Sequence, residues 1–226
     1  SGGVMIPPTC TTGVVPGDSR CTVKIRSQNP RVAAHRGRVQ ILAYAAGEED
    51  FVDANFNNVY DCGEGWSDLT TAFRDDNENR VFDTGEFSVP RAPSASACAS
   101  AATPSPTGGD GVWGTVDVRA QGTIIFATSG AVIRGAIAGN ALNFTIADGN
   151  GNSMPTGSTV EVTGAVGNSS GSWATCNIQS NSSFAIANTV APTITSSQFL
   201  CDSGDILTVK VTSPAGFTTS QDFIVP

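Results

Sequence analysis

Apolar and polar residues alternate with a period of two along much of this chain. Residues 20–26 and 38–44 alternate in this way and are rich in β-branched side chains. Residues 115–120 and 123–127 have the same character. Apolar positions at the spacing of an amphipathic helix are almost absent. The pattern therefore predicts an all-β protein.

A second series of predicted strands begins near residue 129, with turn residues between the strands at intervals of about ten. Such spacing is typical of a sandwich of two antiparallel sheets. The segment Asp148-Gly-Asn-Gly-Asn152 is the strongest hairpin-turn signal in this half. The predicted strands are 141–147, 159–163, 172–178, 183–187, 193–196, 206–212 and 221–225.

Between the early strands the chain contains one acidic pattern twice, first at residues 53–64 and again at residues 75–86. Both copies have a carboxylate or carboxamide at the first, third, fifth, ninth and twelfth places. This is the oxygen-ligand spacing of a Ca²⁺ loop, in which alternate side chains and the seventh carbonyl converge on a hard cation. The sequence predicts one or two bound Ca²⁺ ions, held by Asp53, Asn55, Asn57, Val59, Asp61 and Glu64, and by Asp75, Asn77, Asn79, Val81, Asp83 and Glu86.

The two loops depart from the EF-hand pattern that they resemble. The sixth place, where an EF-hand has Gly, is Asn58 in one loop and Arg80 in the other. Arg adopts the left-handed conformation at a cost, so we expect the second loop to be strained or differently shaped. The flanks do not read as helices, which argues against a helix-opening switch. Tyr60 and Phe82, at the eighth places, are predicted to anchor the loops to the sandwich.

Other interpretations of the repeat stay open at this point. The acids are either ligands or simply a solvated surface loop. A tandem of this period also resembles dockerin modules, but these carry Asp at the twelfth place and helices behind each loop, which this chain lacks. Whether further acids complete a ligand shell is open for Glu49, Asp50, Asp68 and Asp76.

The charge is concentrated around these loops. Residues 48–87 hold 12 of the 20 acids and only two bases, a local balance of -10, so the rest of the chain carries +2. Unneutralised, these acids would repel one another, and divalent cations are the simplest remedy. The chain has no basic stripe with interleaved aromatics, which disfavours nucleic-acid binding. It has no run of apolar residues long enough to span a membrane.

The six cysteines form no zinc-type cluster, and disulfides in an oxidising compartment explain them better. Six cysteines allow 15 pairings. Closeness in sequence favours Cys10–Cys21 and Cys176–Cys201, which leaves Cys62–Cys98 to close the acidic segment. A different matching, or one unpaired couple, stays open.

Residues 141–162 resemble the opening strands of bacterial immunoglobulin-like (Ig-like) domains of the invasin/intimin type. The resemblance lies in Asp148, Asn150-Gly-Asn152, Pro155, Gly157 and Val160. The N-terminal half resembles a variant of that group in which an acidic, calcium-binding insertion follows a strand. The resemblance implies two Ig-like β-sandwich domains in tandem. The first, 1–127, would carry the insertion at about 48–87 and a low-complexity loop at 92–111, and the second would be 128–226.

The same resemblance implies that the chain is the C-terminal portion of a longer secreted or outer-membrane-anchored protein. We expect no enzyme activity, because no nucleophile elbow or phosphate loop is present and the single His35 lies in an Arg-rich turn. The expected function is a calcium-stabilised structural and adhesive module of a secreted or cell-surface protein, extracellular or periplasmic. Its partners would be neighbouring Ig-like domains or other copies of the chain.

Two other functions stay open. One is a self-assembling subunit of a surface layer or filament. The other is an accessory carbohydrate-binding module, for which Trp66 and Trp113 are the only tryptophans expected outside a core.

Overall fold

A computed structural model describes residues 3–11, 20–27, 35–167 and 175–226, with backbone only for residues 3–8 and 10. The described residues form an all-β structure without an α-helix. None of them belongs to a helix that is long and apolar enough to cross a membrane. The strands are β1 Gly3–Thr11, β2 Arg20–Ser27, β3 Arg38–Glu48, β4 Thr115–Ile125, β5 Ala131–Ala138, β6 Ala141–Asp148, β7 Thr159–Ala165, β8 Asn177–Ile178, β9 Ser183–Ala185, β10 Thr193–Leu200, β11 Ile206–Thr212 and β12 Thr218–Ile224.

The chain divides into two compact units. One, the loop unit, is Gln40–Ile124 and contains both acidic loops. The other, the sandwich unit, combines Ser1–Val39 with Ile125–Pro226. Before residue 127 the sheets are two-stranded, β1–β2 and β3–β4. The predicted division into two Ig-like domains at residue 127 stays a prediction.

The sandwich unit contains two four-stranded antiparallel sheets, ordered β5-β6-β10-β8 and β12-β11-β7-β9. Alternate residues of β6, β7 and β11 are buried, as the period-two pattern requires. Both sheets contribute to one hydrophobic core, whose largest side chains are almost fully buried: Leu142, Phe144, Ile146, Val160, Phe199, Leu207 and Val209.

Several predicted strands differ from the structure. The strands expected at 115–120 and 123–127 are one continuous strand, β4. Strand β5 was not predicted. It contains Gly135, where a Cβ atom would lie only 2.7 Å from the carbonyl oxygen of Asn143, so the close pairing of β5 with β6 requires glycine there. Residues 168–174 lie outside the described part, and of the remaining residues of the strand expected at 172–178, Asn177–Ile178 form strand β8.

The predicted turn at 148–152 forms, but it does not close a hairpin. The buried Asp148 accepts the amides of Asn150 and Asn152 on Oδ1, both at 2.8 Å, and its own amide donates to the carbonyl of Asn152 at 2.7 Å. However, β6 and β7 belong to different sheets. The turn therefore starts a crossover from one sheet to the other, a distinction that turn chemistry alone does not encode.

Two disulfides are present among the described residues, Cys62–Cys98 and Cys176–Cys201, and both are pairs that the sequence favours. Cys21 is also disulfide-bonded, and its Cα partner in the β1–β2 register is Cys10, whose side chain lies outside the described part. Disulfides of this kind indicate an oxidising, extracytoplasmic environment.

Candidate metal centre

Each acidic loop closes a short antiparallel ladder rather than joining two helices. Phe51 bridges to Trp66 below the first loop, and Phe73 bridges to Ser88 at the equivalent positions below the second. In the first ladder the backbone amide of Val52 donates a hydrogen bond to the carbonyl of Gly65 at 2.7 Å. In the second ladder the amide of Arg74 donates to the carbonyl of Phe87 at 2.8 Å. One more backbone hydrogen bond extends each ladder away from its loop. The amide of Ser67 donates to the carbonyl of Asp50 at 3.1 Å, and the amide of Val89 donates to the carbonyl of Ala72 at 2.8 Å. The structural repeat therefore covers 50–67 and 72–89, more than the acidic residues themselves.

The aspartate at the first place of each loop organises the turn that follows it. Asp53 accepts the amide of Asn57 on Oδ1 at 3.1 Å and the amide of Asn58 on Oδ2 at 2.8 Å. Asp75 accepts the two corresponding amides at 3.1 and 2.7 Å. The chain wraps around this carboxylate, so its oxygens face the inside of the loop.

The glutamate at the twelfth place closes the loop from the other end. Glu64 accepts the amide of Ala54 on Oε1 at 2.8 Å and the amide of Asp61 on Oε2 at 2.9 Å. Glu86 makes the same two bonds at 2.7 and 2.9 Å. Both carboxylate oxygens are thereby held at fixed positions, which is what a bidentate ligand requires.

The third, fifth and ninth side chains meet one another. The amides of Asn55 and Asn57 both donate to Oδ2 of Asp61, at 2.7 and 2.8 Å. In the second loop the corresponding bonds to Asp83 are both 2.7 Å. The oxygens of the same carboxamides accept backbone amides two residues further on, from Asn57 in the case of Asn55 and from Val59 in the case of Asn57.

The seventh residues follow the same plan. The amide of Val59 donates to Oδ1 of Asn57 at 2.8 Å, and the amide of Val81 donates to the equivalent oxygen of Asn79 at 2.7 Å. This bond fixes the peptide plane next to the predicted carbonyl ligand. The coordination by the Val59 and Val81 carbonyls itself stays a prediction.

The backbone of the second loop matches that of the first, contrary to one of the two outcomes expected from Arg80. The sixth residues, Asn58 and Arg80, have φ of 60° and 67°. The fourth residues, Phe56 and Glu78, are also left-handed, with φ of 60° and 64°. Left-handed backbone costs about 1–2 kcal/mol per non-glycine residue. The second loop is therefore strained at Arg80 without being differently shaped.

Aromatic side chains hold each loop to its ladder. Phe51 meets Tyr60 edge to face with centroids 5.9 Å apart, and in the second loop Phe73 meets Phe82 in the same way at 5.6 Å. Trp113 stacks on Tyr60 with centroids 4.8 Å apart. All of these rings belong to the loop unit. The sequence predicts that the eighth-place rings anchor the loops to a sandwich, whereas their partners are other rings of the loop unit. Phe51 and Phe73 lie outside the acidic pattern, so the pattern does not indicate them as partners.

Three of the four additional acids have other partners. The buried Glu49 accepts the amides of Leu69 at 2.7 Å and Gly114 at 3.1 Å, and burial raises its pKa although these bonds oppose the shift. Asp68 accepts the amide of Gly111 at 3.0 Å. Asp76 pairs with the Arg74 guanidinium. These acids support the frame of the loop unit.

The low-complexity segment 92–111 is attached to this frame at two points. Cys98 forms the disulfide with Cys62, the tenth residue of the first loop. Asp110, almost fully buried, accepts the amide of Ser94 at 2.7 Å, and Arg91 Nη2 lies 3.1 Å from its Oδ2, an ion-pair distance without hydrogen-bond alignment. Burial alone would raise the pKa of Asp110. The bonds from Ser94 and Val112 and the charge of Arg91 outweigh that effect and lower it.

A second cluster of metal-ligating residue types occurs in the sandwich unit, where Cys176, Cys201 and Asp205 lie close together. Both sulfurs belong to one disulfide, so neither is a thiolate, the form of cysteine that binds metal. The Asp205 carboxylate accepts the amides of Gly167 and Asp202. This cluster is structural.

No protein-family model, curated protein or solved structure matches this chain.

Proposed function

We propose that this chain is a calcium-stabilised structural and adhesive module of a secreted or cell-surface protein. The proposal rests on the agreement of the two loops, bond for bond, at equivalent places of the acidic repeat. In each loop, Asp53 or Asp75 turns the chain, Glu64 or Glu86 closes it, and the remaining polar side chains gather between them. A merely solvated acidic segment has no reason to repeat such an arrangement.

The donor set fits Ca²⁺. Every side-chain candidate is a carboxylate or carboxamide, and hard oxygen ligands in a set of six to eight are what Ca²⁺ takes. Each loop brings three formal negative charges, at its first, ninth and twelfth places. One Ca²⁺ per loop would change the local balance of residues 48–87 from -10 to about -6. The ions thus act by cancelling repulsion and fixing the loops.

The surroundings of the loops favour a structural role over a signalling role. Sensor EF-hands respond to Ca²⁺ by reorienting two helices. Here each loop is bounded by a short antiparallel ladder and an aromatic pair, so no helix pair is available to open. Calcium would instead raise the stability and protease resistance of the loop unit.

For the wider assignment we propose an Ig-like, invasin/intimin-type protein with two domains in tandem, located extracellularly, at the outer-membrane surface or in the periplasm. Its proposed partners are neighbouring Ig-like domains or copies of the same protein. The two-sheet core of the sandwich unit and the disulfides support this assignment.

Calcium titration calorimetry of the purified chain tests the proposal. We expect two Ca²⁺ per chain, one after Asp53→Asn, one after Asp75→Asn, and weak binding of Mg²⁺ because Mg²⁺ demands a rigid octahedral shell. Asp50→Asn is the matched control, since Asp50 is exposed and is not one of the twelve predicted ligands. An absence of saturable calcium binding would refute the proposal.

One observation favours carbohydrate binding as a second candidate function. A polar cavity of about 450 Å³ lies beside the second loop, lined by residues that include Phe73, Asp75, Arg80, Arg119 and Gln121. Its volume is in the range of small-molecule sites. Trp113, in contrast, is committed to stacking on Tyr60 and does not offer a sugar platform. Glycan binding that is lost in Gln121→Ala and retained in Trp66→Ala would support the cavity as the site.

A further inference from the structure

Strand β2 is exposed on both of its faces. Seven of its eight residues are exposed, and only Ile25 is partly covered. Among the described residues its sheet contains one other strand, β1, to which it pairs from Gly3↔Ser27 to Thr11↔Arg20. We call this hairpin, Gly3–Thr11 with Arg20–Ser27, the basic arm.

A two-stranded hairpin is at best marginally stable in water unless something packs against it. Cys21 of β2 is disulfide-bonded, yet β2 remains exposed along most of its length. Val23, an apolar residue of β2, is 37% exposed. The basic arm therefore has the features of a segment that is completed by a partner surface.

The charges of β2 indicate which surface that is. Successive side chains of a strand point to opposite faces, so Arg20, Lys24 and Arg26 lie on one face. All three are exposed, and neither strand of the arm contains an acid. The chain as a whole carries -8, and residues 48–87 within the loop unit carry -10.

We propose that the basic arm docks on the acidic loop unit of a second copy of this chain. Exposed acids that are not predicted ligands, such as Glu48 and Asp50, offer partners for the arm. With both calcium sites filled the acidic segment would still carry about -6, so docking does not depend on the calcium proposal. The contact joins different surfaces of the two copies, and such head-to-tail contacts form rings or open filaments.

Sedimentation velocity of the full chain over a concentration series tests this. We expect concentration-dependent association at about 0.01 M ionic strength that disappears at about 1 M, because the screening length falls from about 30 Å to about 3 Å. Lys24→Glu should weaken association about tenfold or more. Arg134→Glu, the same charge change at an exposed position of β5, should leave it within about twofold of wild type.

A charge exchange decides between a specific and a general electrostatic effect. A chain with Lys24→Glu and a chain with Glu48→Lys and Asp50→Lys should each self-associate weakly. The Lys24→Glu chain keeps its acidic surface but has an altered arm. The Glu48→Lys/Asp50→Lys chain, the second of the two, keeps its arm but has an altered acidic surface. Mixed, they should form a heterodimer in which the second chain's arm meets the first chain's loop unit.

Three outcomes would overturn the proposal. They are a monomer at all concentrations in low salt, equal effects of Lys24→Glu and Arg134→Glu, and arm-dependent binding to anionic phosphatidylglycerol vesicles without self-association. Circular dichroism of each variant verifies that the sheets remain folded. Repeating the series in EGTA separates this proposal from the calcium proposal, because association should persist there.

Discussion

Removing one carboxylate from one loop should remove about half of the stabilisation that calcium gives to the loop unit. The variant is Asp53→Asn, which keeps the size of the side chain and one acceptor oxygen. In the structure Asp53 accepts two backbone amides and faces the interior of the loop. The single side-chain oxygen of Asn can accept only one of these two amides. The substitution also removes one negative charge from the ligand set.

The magnitude follows from linkage. A site filled at 100 times its dissociation constant stabilises the folded state by about 2.7 kcal/mol, and two such sites by about 5 kcal/mol. For a unit of the size of Gln40–Ile124, each kcal/mol shifts the melting temperature by about 4–8 °C. The melting temperature of the wild-type protein should therefore be at least roughly 20 °C higher in saturating Ca²⁺ than in EGTA. This calcium-induced shift should be about twice the shift of the Asp53→Asn variant.

The assay is a thermal melt followed by near-ultraviolet circular dichroism, to which Trp66 and Trp113 of the loop unit contribute. In EGTA the variant should differ from wild type by no more than about 1.5 kcal/mol, the net worth of a hydrogen bond. Asp75→Asn should behave like Asp53→Asn, the double variant should lose the calcium response, and Asp50→Asn should retain it. Identical wild-type melts in Ca²⁺ and EGTA would refute the reasoning.

Three further predictions concern the frame of the loop unit. Arg80→Gly should be about 1 kcal/mol more stable than Arg80→Ala in urea denaturation, because only glycine relieves the left-handed backbone at φ 67°; equal stabilities would contradict this. Asp110→Asn should cost about 3 kcal/mol at pH 7. Because the pKa of Asp110 is lowered in the folded protein, its carboxylate contributes stability at pH values above the ordinary pKa of 3.8. That contribution is lost as pH falls through the lowered pKa. The difference in unfolding free energy between Asp110→Asn and wild type, measured by urea denaturation, should therefore shrink in acid. Replacing Cys62 and Cys98 by Ala should lower the unfolding free energy by about 4 kcal/mol, since their separation of 36 residues sets the entropy of the open loop; an unchanged denaturation midpoint would exclude that role.

The features that depend on short separations along the chain could be predicted from its residues alone. All the side chains of one acidic loop lie within a single short segment, so their spacing predicts that they meet, and in the structure Asp53 and Glu64 accept backbone amides from within the loop. That their oxygens bind a cation stays a prediction. The period-two pattern likewise predicted an all-β protein, because side-chain alternation is a property of a single strand. The Cys176–Cys201 pair followed from closeness in sequence.

The supports of the loops, in contrast, depend on how distant segments come together in the fold. Glu49 resembles another calcium ligand in the sequence, yet its carboxylate binds the amide of Gly114, 65 residues away. The sequence predicts that Trp113 lies outside a core, but in the structure its ring stacks on Tyr60. The turn that starts at Asp148 resembles a hairpin, but sheet membership makes it a crossover. Each outcome depends on which distant segments share a surface, and such pairings are chosen by the burial and hydrogen bonding of the whole fold rather than by local residue patterns.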